Sequence, residues 1–412
     1  MKVCFETFGC RLNRAEALEE EAQYLARGWE RTTSHEDAQL IVVRGCSVTQ
    51  RAQRDCERLI EHIRQKYPFK RIIVAGCLPS ANKNYTLRAN AARPAAGRNE
   101  TANTSTPTPV PTRTARAYLK VQDGCNARCT FCIVPKFRGI SKSEPFAEIL
   151  DKAKRFIDVG YHEIVVTGCN LAMYASEGKH LPELIASIAS LDRGCRVRLG
   201  SLEPGSVATE TVHALAENAN CCRFLHIPVQ SGSDRILVAM RRPYKVRDVA
   251  ELAHTAVKLM PDLALGCDLM TGFPDEYDND FLATKSLFRR LPFSKAHIFP
   301  YSERPGTPAA TFPGAIPPAV RSARARELAT IADEARTNFI RRFQGRTVEI
   351  VIEDETTLAG WTSEYVWCQI GSHNAAVPQR RLDGTGRTVK RRDLAKVVVK
   401  EVCGHVLTGD LR

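Results

Sequence analysis

The sequence predicts an α/β chain of three domains: an N-terminal parallel α/β sheet, a central partial (β/α)6 barrel and a small all-β domain. Three observations carry this reading. Near the N-terminus, three short apolar segments each end in Gly-Cys, at Cys10, Cys46 and Cys77, with helical patterns between them. From Tyr118 to Phe299, six strand-length apolar runs alternate with helix-length amphipathic stretches. Beyond about residue 343 the pattern shortens to the alternation of half-buried strands. With 412 residues the chain exceeds one ordinary core, so several domains are required.

In the first domain, residues 1–100, the apolar segments are Val3 to Phe8, Leu40 to Arg44 and Arg71 to Ala75. A helix is expected from Ala15 to Arg27, with Leu18, Ala22 and Leu25 on one face and Gly28 as its stop. A second is expected around Ala52, Cys56, Leu59, Ile60 and Ile63. Strands alternating with helices form parallel sheets, which collect ligands outside the carboxyl ends of their strands. The three Gly-Cys pairs are therefore expected on one edge, where glycine lets a bulky group approach the backbone. Cys10, Cys46 and Cys77 read as iron–sulfur ligands; Cys4 and Cys56, mid-strand and mid-helix, read as packing residues. Residues 101–114, part of a longer run of Ala, Asn, Thr and Pro, offer little to bury and read as a linker.

The central domain, residues 115–342, has candidate strands at Tyr118–Val121, Glu163–Thr167, Arg196–Leu199, Arg223–Ile227, Leu263–Leu269 and Lys295–Phe299. Six units leave a barrel open on one side, and the loops after its strands carry the chemistry. The first such loop, GCNARCTFCIVPKFR, spaces Cys125, Cys129 and Cys132 as C-x3-C-x2-C. Three thiolates there can hold three irons of a cubane and leave the fourth open to a small molecule. A closed zinc site would require a fourth ligand at short range, and no further cysteine follows before Cys169. The opening MKVCFETFGC has no apolar run of the secretory kind, and no stretch approaches the ~18 apolar residues of a membrane helix. A cytoplasmic protein without membrane contact is expected, in which fifteen cysteines point to metal ligation rather than disulfides.

The last domain, residues 343–412, is expected to be a small barrel or sandwich carrying Trp361, Tyr365 and Trp367, placed to stack on a base or to fill a core. A formal charge of +13 points to a polyanionic partner such as RNA.

C-x3-C-x2-C after the first strand of such a barrel resembles the radical S-adenosylmethionine (SAM) superfamily. The flanks TFGCRLNRAEA, EIVVTGCN, HIPVQSGSDRIL, MRRPY, GFPDEYDNDF and FPYSERPGTPAA narrow the resemblance to methylthiotransferases of the MiaB/RimO group, most of all its MtaB branch, and GWTSEYV resembles a TRAM RNA-binding domain. The resemblance implies a catalytic [4Fe-4S] cluster on Cys125, Cys129 and Cys132 that cleaves SAM. It implies a second, auxiliary [4Fe-4S] cluster on Cys10, Cys46 and Cys77 that carries the sulfur. The implied reaction is methylthiolation at C2 of N6-threonylcarbamoyladenosine at position 37 of tRNA. Isopentenyladenosine, a ribosomal-protein aspartate, and a non-enzymatic iron–sulfur RNA-binding module are the alternatives.

From loop position, Asn170, Glu203 and Gln230 are assigned to SAM, with Gly272 and Pro274 shaping its adenosyl pocket. Arg138, Arg241, Arg242, Lys245, Arg380, Arg381, Arg391 and Arg392 are assigned to tRNA phosphates around the anticodon stem-loop. A monomer served by an electron donor such as flavodoxin or ferredoxin is expected.

Overall fold

The computed structural model describes residues 1–81, 114–371 and 389–412. The linker assigned to 101–114 thus falls outside the described residues, apart from Thr114, as do Arg380 and Arg381.

The N-terminal domain is a four-stranded parallel sheet in the spatial order Glu30–Arg31, Lys2–Thr7, Leu40–Gly45, Arg71–Gly76. The two-residue edge strand Glu30–Arg31 has no apolar run and left no pattern to read. Helix Arg11–Ala26 covers one face through Ala17 and Tyr24, while helix Gln50–Lys66 covers the other through Cys56, Ile60 and Ile63. Thr49 starts the second helix by accepting from the Ala52 amide at 3.2 Å. Cys4 and Cys56 are fully buried in this packing, as expected.

Six parallel strands build the central domain in chain order: Ala117–Lys120, Glu163–Thr167, Arg196–Leu199, Phe224–Gln230, Ala264–Thr271 and Phe293–Pro300. Bridges Val197–Cys221 and Ser201–His226 join the third to the fourth, and among the described residues the first and sixth do not pair. Alternation along these strands separates two environments. Leu119, Ile164, Val166, Val197, Leu199, Leu225, Ile227, Leu265 and Leu269 share one core with the surrounding helices. The opposite, inward set is Tyr118, Val165, Arg198, Phe224, His226, Asp268, Lys295 and His297, which is mostly polar.

Two other domains cover that inward face. Helix Arg11–Ala26 lays Ala15 and Leu18 on Tyr118 and Val165. The C-terminal domain is a closed barrel of Thr347–Asp354, Ala359–Thr362, Trp367–Ile370, Leu394–Cys403 and Val406–Leu411. It docks through backbone carbonyls: Arg196 donates to Glu349 O at 2.9 Å and Trp361 O at 3.0 Å, and Arg198 donates to Thr362 O at 2.8 Å and Ser363 O at 3.0 Å. Tyr365, at φ +61°, stacks on Trp361 with centroids 4.6 Å apart and lies 4.9 Å from the Phe224 ring. Trp361 and Tyr365 therefore plug the central barrel, the packing alternative of the two that the sequence offered.

Glu163, fully buried, anchors the joint by accepting from Arg198 at 2.6 Å and pairing with Arg196. Burial opposes its charge, but Arg198 and Arg196 prevail and hold its carboxyl far below the usual range. Because that pKa is depressed, the joint persists at neutral pH and weakens only in strong acid. Glu163→Gln should leave buried guanidinium charge uncompensated, costing about 3–5 kcal/mol. The check is guanidinium unfolding with limited proteolysis: a lowered midpoint and early release of the C-terminal barrel are expected, and an unchanged midpoint contradicts the assignment.

Candidate active site between two cysteine triplets

Each strand of the N-terminal domain that ends in Gly-Cys delivers its thiol to one edge. Cys10 sits at the N-cap of helix Arg11–Ala26, and Cys77 precedes the short helix Leu78–Ala81. Asn13, nearly fully buried, ties the edge together by donating to Phe8 O at 2.6 Å and Arg44 O at 3.0 Å. Gly9 and Gly76 make the approach possible. Both have positive φ, and a Cβ on Gly9 would lie 2.7 Å from Cys46 Sγ, while one on Gly76 would lie 2.6 Å from Gly45 O. Cys10, Cys46 and Cys77 open on a cavity of about 500 Å³.

The central triplet borders a second cavity of about 250 Å³, lined also by Asn170, Glu203, Gln230 and Arg242. Cys169, Ser201 and Asp268 border both spaces, so the two cavities adjoin along a shared wall and together make the lumen that the triplets face. Gln122, buried, holds the loops in register: its amide nitrogen donates to Gly124 O at 2.7 Å and Ser141 Oγ at 2.8 Å, and its oxygen accepts from the Asn170 amide at 2.9 Å. Arg242 donates to Cys129 Sγ at 3.0 Å and to the Tyr244 hydroxyl at 2.8 Å, and it pairs with Glu203. Glu203 in turn accepts from Asn170 Nδ2 at 2.5 Å.

All fifteen cysteines are free thiols. Burial pushes Cys46 up to about 11 and Cys132 up to about 12, and raises Cys77 and Cys125 as well. Thiols this reluctant to ionise become thiolates when a metal supplies compensating charge, and a donor set of three cysteines per site is the one iron–sulfur clusters use. The polar lining of the smaller cavity suits a ligand of SAM's chemistry. Asn170 Oδ1 and Gln230 Oε1 are buried acceptors without a partner, which the ammonium and hydroxyls of a zwitterionic nucleoside would satisfy. Gln230 is held at φ +67°, a strained conformation of the kind concentrated at binding sites.

Other assigned residues lie elsewhere. Gly272 and Pro274 are buried behind the walls of both cavities: the Gly272 amide bonds Glu276 Oε2 at 2.7 Å, its Cα packs on Arg321, and Phe273 between them fills a separate apolar cluster. Arg242 faces the central triplet rather than solvent. Arg138 is likewise turned inward, paired with Glu16 at 2.9 Å and Asp123 at 3.0 Å. Arg392 lies 4.2 Å from the Tyr161 ring centroid, and exposed Arg391 bonds Glu353 O at 3.0 Å. Arg241 and Lys245 are exposed. Sequence reasoning missed Asn13, Gln122, His226, Asp268, Lys295 and His297. For the last four the signal was present, since polar residues stand two apart within apolar strands; for the first two there was none.

Two family models match the chain: the radical SAM superfamily over residues 119–288 and the uncharacterized protein family UPF0004 over residues 2–94. The threonylcarbamoyladenosine tRNA methylthiotransferase MtaB of Thermotoga maritima is 31% identical over 88% of this chain and 90% of its own. That of Bacillus subtilis is 28% identical over 88% and 89%. The tRNA-2-methylthio-N(6)-dimethylallyladenosine synthase of Mycobacterium ulcerans is 31% identical over 84% and 72%. In fold, the radical SAM methyltransferase TsrM from Kitasatospora setae superposes with a TM-score of 0.55 at 13% identity, over 75% of this chain and 77% of that one. The chain belongs to the radical SAM methylthiotransferase family, and is thereby a transferase of a family that uses SAM and [4Fe-4S] clusters.

Gly9→Ala should crowd Cys46 and remove one cluster, so that anaerobically reconstituted protein falls from about eight irons per chain to about four; retention of both sets of iron refutes the convergence of Cys10, Cys46 and Cys77 on one cluster. Arg242→Gln removes a contact to Cys129, and such supporting changes weaken metal sites about 10- to 100-fold. Faster iron loss to a chelator from the central triplet alone is expected, and equal loss from both sites contradicts the assignment.

Proposed function

We propose that the chain methylthiolates tRNA, inserting a methylthio group at C2 of N6-threonylcarbamoyladenosine at position 37 of the anticodon stem-loop. The observation that carries the reaction is the pair of cysteine triplets facing one lumen. The two MtaB relatives, matched along nearly their whole length, favour the threonylcarbamoyl substrate.

Cys125, Cys129 and Cys132 would hold the cluster that binds SAM, and Cys10, Cys46 and Cys77 the auxiliary one; between them the bound groups supply a carbon-centred radical, a sulfur and a methyl group. The protein's own residues bind, orient and exclude water. Glu203 and Arg242 form a neutral pair beside the triplet, and Asn170 and Gln230 offer acceptors to the ligand. Helix Arg11–Ala26 and the C-terminal plug cover the barrel's inner face, which keeps a reactive centre from solvent. Asp268 accepts from His226 at 2.9 Å and His297 at 3.3 Å, so its oxygen is hydrogen-bonded within the lumen. Arg241, Lys245 and Arg391 remain for phosphate contact, joined by Arg380 and Arg381. A flavodoxin or ferredoxin is the proposed electron donor.

Relatives named for dimethylallyladenosine support a second reading, in which the base carries an apolar isopentenyl group. Nucleoside mass spectrometry of tRNA from a deletion strain separates the two. Loss of methylthiolated threonylcarbamoyladenosine is expected. Loss of the isopentenyl derivative instead establishes the second reading, and unchanged tRNA excludes both.

A further inference from the structure

One part of the larger cavity is lined by Arg11, which follows Cys10 in the chain, and by Phe224 and Lys295, all three meeting the Tyr365 ring. It is assembled from all three domains, and its charges do not balance. Beneath Tyr365, three arginines face three carboxylates. Arg116 bonds Glu353 at 2.6 Å, Arg198 and Arg196 pair with Glu163, and Glu364 lies close to both, its own pKa raised by burial and opposed by their charge. Asp268 is occupied by His226 and His297. That leaves Arg11 and Lys295. Among the described residues neither forms an ion pair, and each meets the ring of Tyr365, at 5.3 and 4.8 Å from its centroid.

Two half-buried cations that face one space and, among the described residues, form no ion pair are stabilised when an anion arrives there. The neighbours register the same field. Burial would raise the Tyr365 hydroxyl, yet Arg11 and Arg116 bring it down to about 8, and Lys295 is lowered by burial and by the charge of Arg336. This part of the lumen favours negative charge over an apolar group.

We propose that Arg11 and Lys295 form, in this part of the lumen, an anion subsite that receives the carboxylate of an amino-acid group attached to the substrate base. The subsite rests on the tRNA reading above and gives it a means of choosing an acidic modified adenosine over an apolar one. A phosphate of the RNA backbone and the carboxylate of SAM share this chemistry, and the experiment separates them.

The holoenzyme is assayed on anticodon hairpins carrying threonylcarbamoyladenosine, its neutral carboxamide analogue, or isopentenyladenosine. Wild type should favour the carboxylate over the carboxamide about 10- to 100-fold in kcat/KM, the range of a charge-assisted contact. Lys295→Gln and Arg11→Gln, on different domains, should each bring that ratio towards one, and Lys295→Arg should restore it, with iron content verified for each variant. A ratio unmoved in both Gln variants overturns the subsite, as does an equal loss on both hairpins, which assigns the cations to phosphate, to SAM or to folding. If wild type treats carboxylate and carboxamide alike, the subsite falls and the threonylcarbamoyl reading stands. If wild type modifies only the isopentenyl hairpin, that reading falls too.

Discussion

Glu16, on the N-terminal helix, accepts from Arg44 at 2.7 Å within its own domain and from Lys120 and Arg138 of the central domain, both at 2.9 Å. Burial opposes its ionisation, but the bonds and charges of Arg138 and Lys120 prevail and lower its pKa. Buried ion pairs add little net stability, because desolvation cancels most of their attraction. What they fix is position, since few arrangements satisfy one carboxylate with three cations. Here the arrangement sets the cysteine-bearing edge of one sheet against the mouth of the barrel. Together with Ala15 and Leu18 packed on Tyr118 and Val165, it fixes Cys10, Cys46 and Cys77 relative to Cys125, Cys129 and Cys132, and neither triplet alone makes the lumen.

The barrel accepts this arrangement because its inner face is polar and would otherwise be wet. Six parallel strands packed outward on helices leave Arg198, His226, Asp268, Lys295 and His297 pointing in. An isolated barrel would solvate them. The N-terminal helix covers the first two strands and the Trp361–Tyr365 plug covers the later ones, so the remaining space has a roof from one domain and a floor from another. Closure and charge are linked. A polar lumen sealed by apolar and aromatic groups concentrates the field of each unpaired side chain far more than an open cleft does.

Much of this was legible before any coordinates. Gly-Cys repeated three times after apolar runs placed one triplet on a sheet edge, and C-x3-C-x2-C marked the other, because tight turns at strand ends restrict the residue types they accept. Asn170, Glu203 and Gln230 were readable from their place after successive strands. The arginines were not. Arg138 and Arg242 look like any solvated cation, and what turns them inward is a partner far away in sequence: Glu16 for the first, Glu203 and Cys129 for the second. Gly272 and Pro274 fit a loop beside a ligand equally well as a loop behind a wall, and Phe273 between them decides it by filling an apolar cluster. The sequence left the plug's aromatics between two roles for a related reason, since an exposed aromatic platform and an interdomain one have the same composition.

Arg138 joins the N-terminal helix to the central barrel. Its guanidinium charge opposes the larger effect of burial that raises the Cys77 thiol, while its hydrogen bonds go to Glu16 and Asp123. Asp123, despite burial, is brought to about 2 by Lys120 and Arg138 and also accepts from Cys169 Sγ at 3.5 Å. A metal that converts Cys77 to its thiolate strengthens the attraction to Arg138, and the same guanidinium clamps the N-terminal helix to the barrel. By linkage, whatever docking contributes to thiolate formation, thiolate formation returns to docking. A cluster held by Cys10, Cys46 and Cys77 would therefore be coupled in its assembly to the docking of the N-terminal helix.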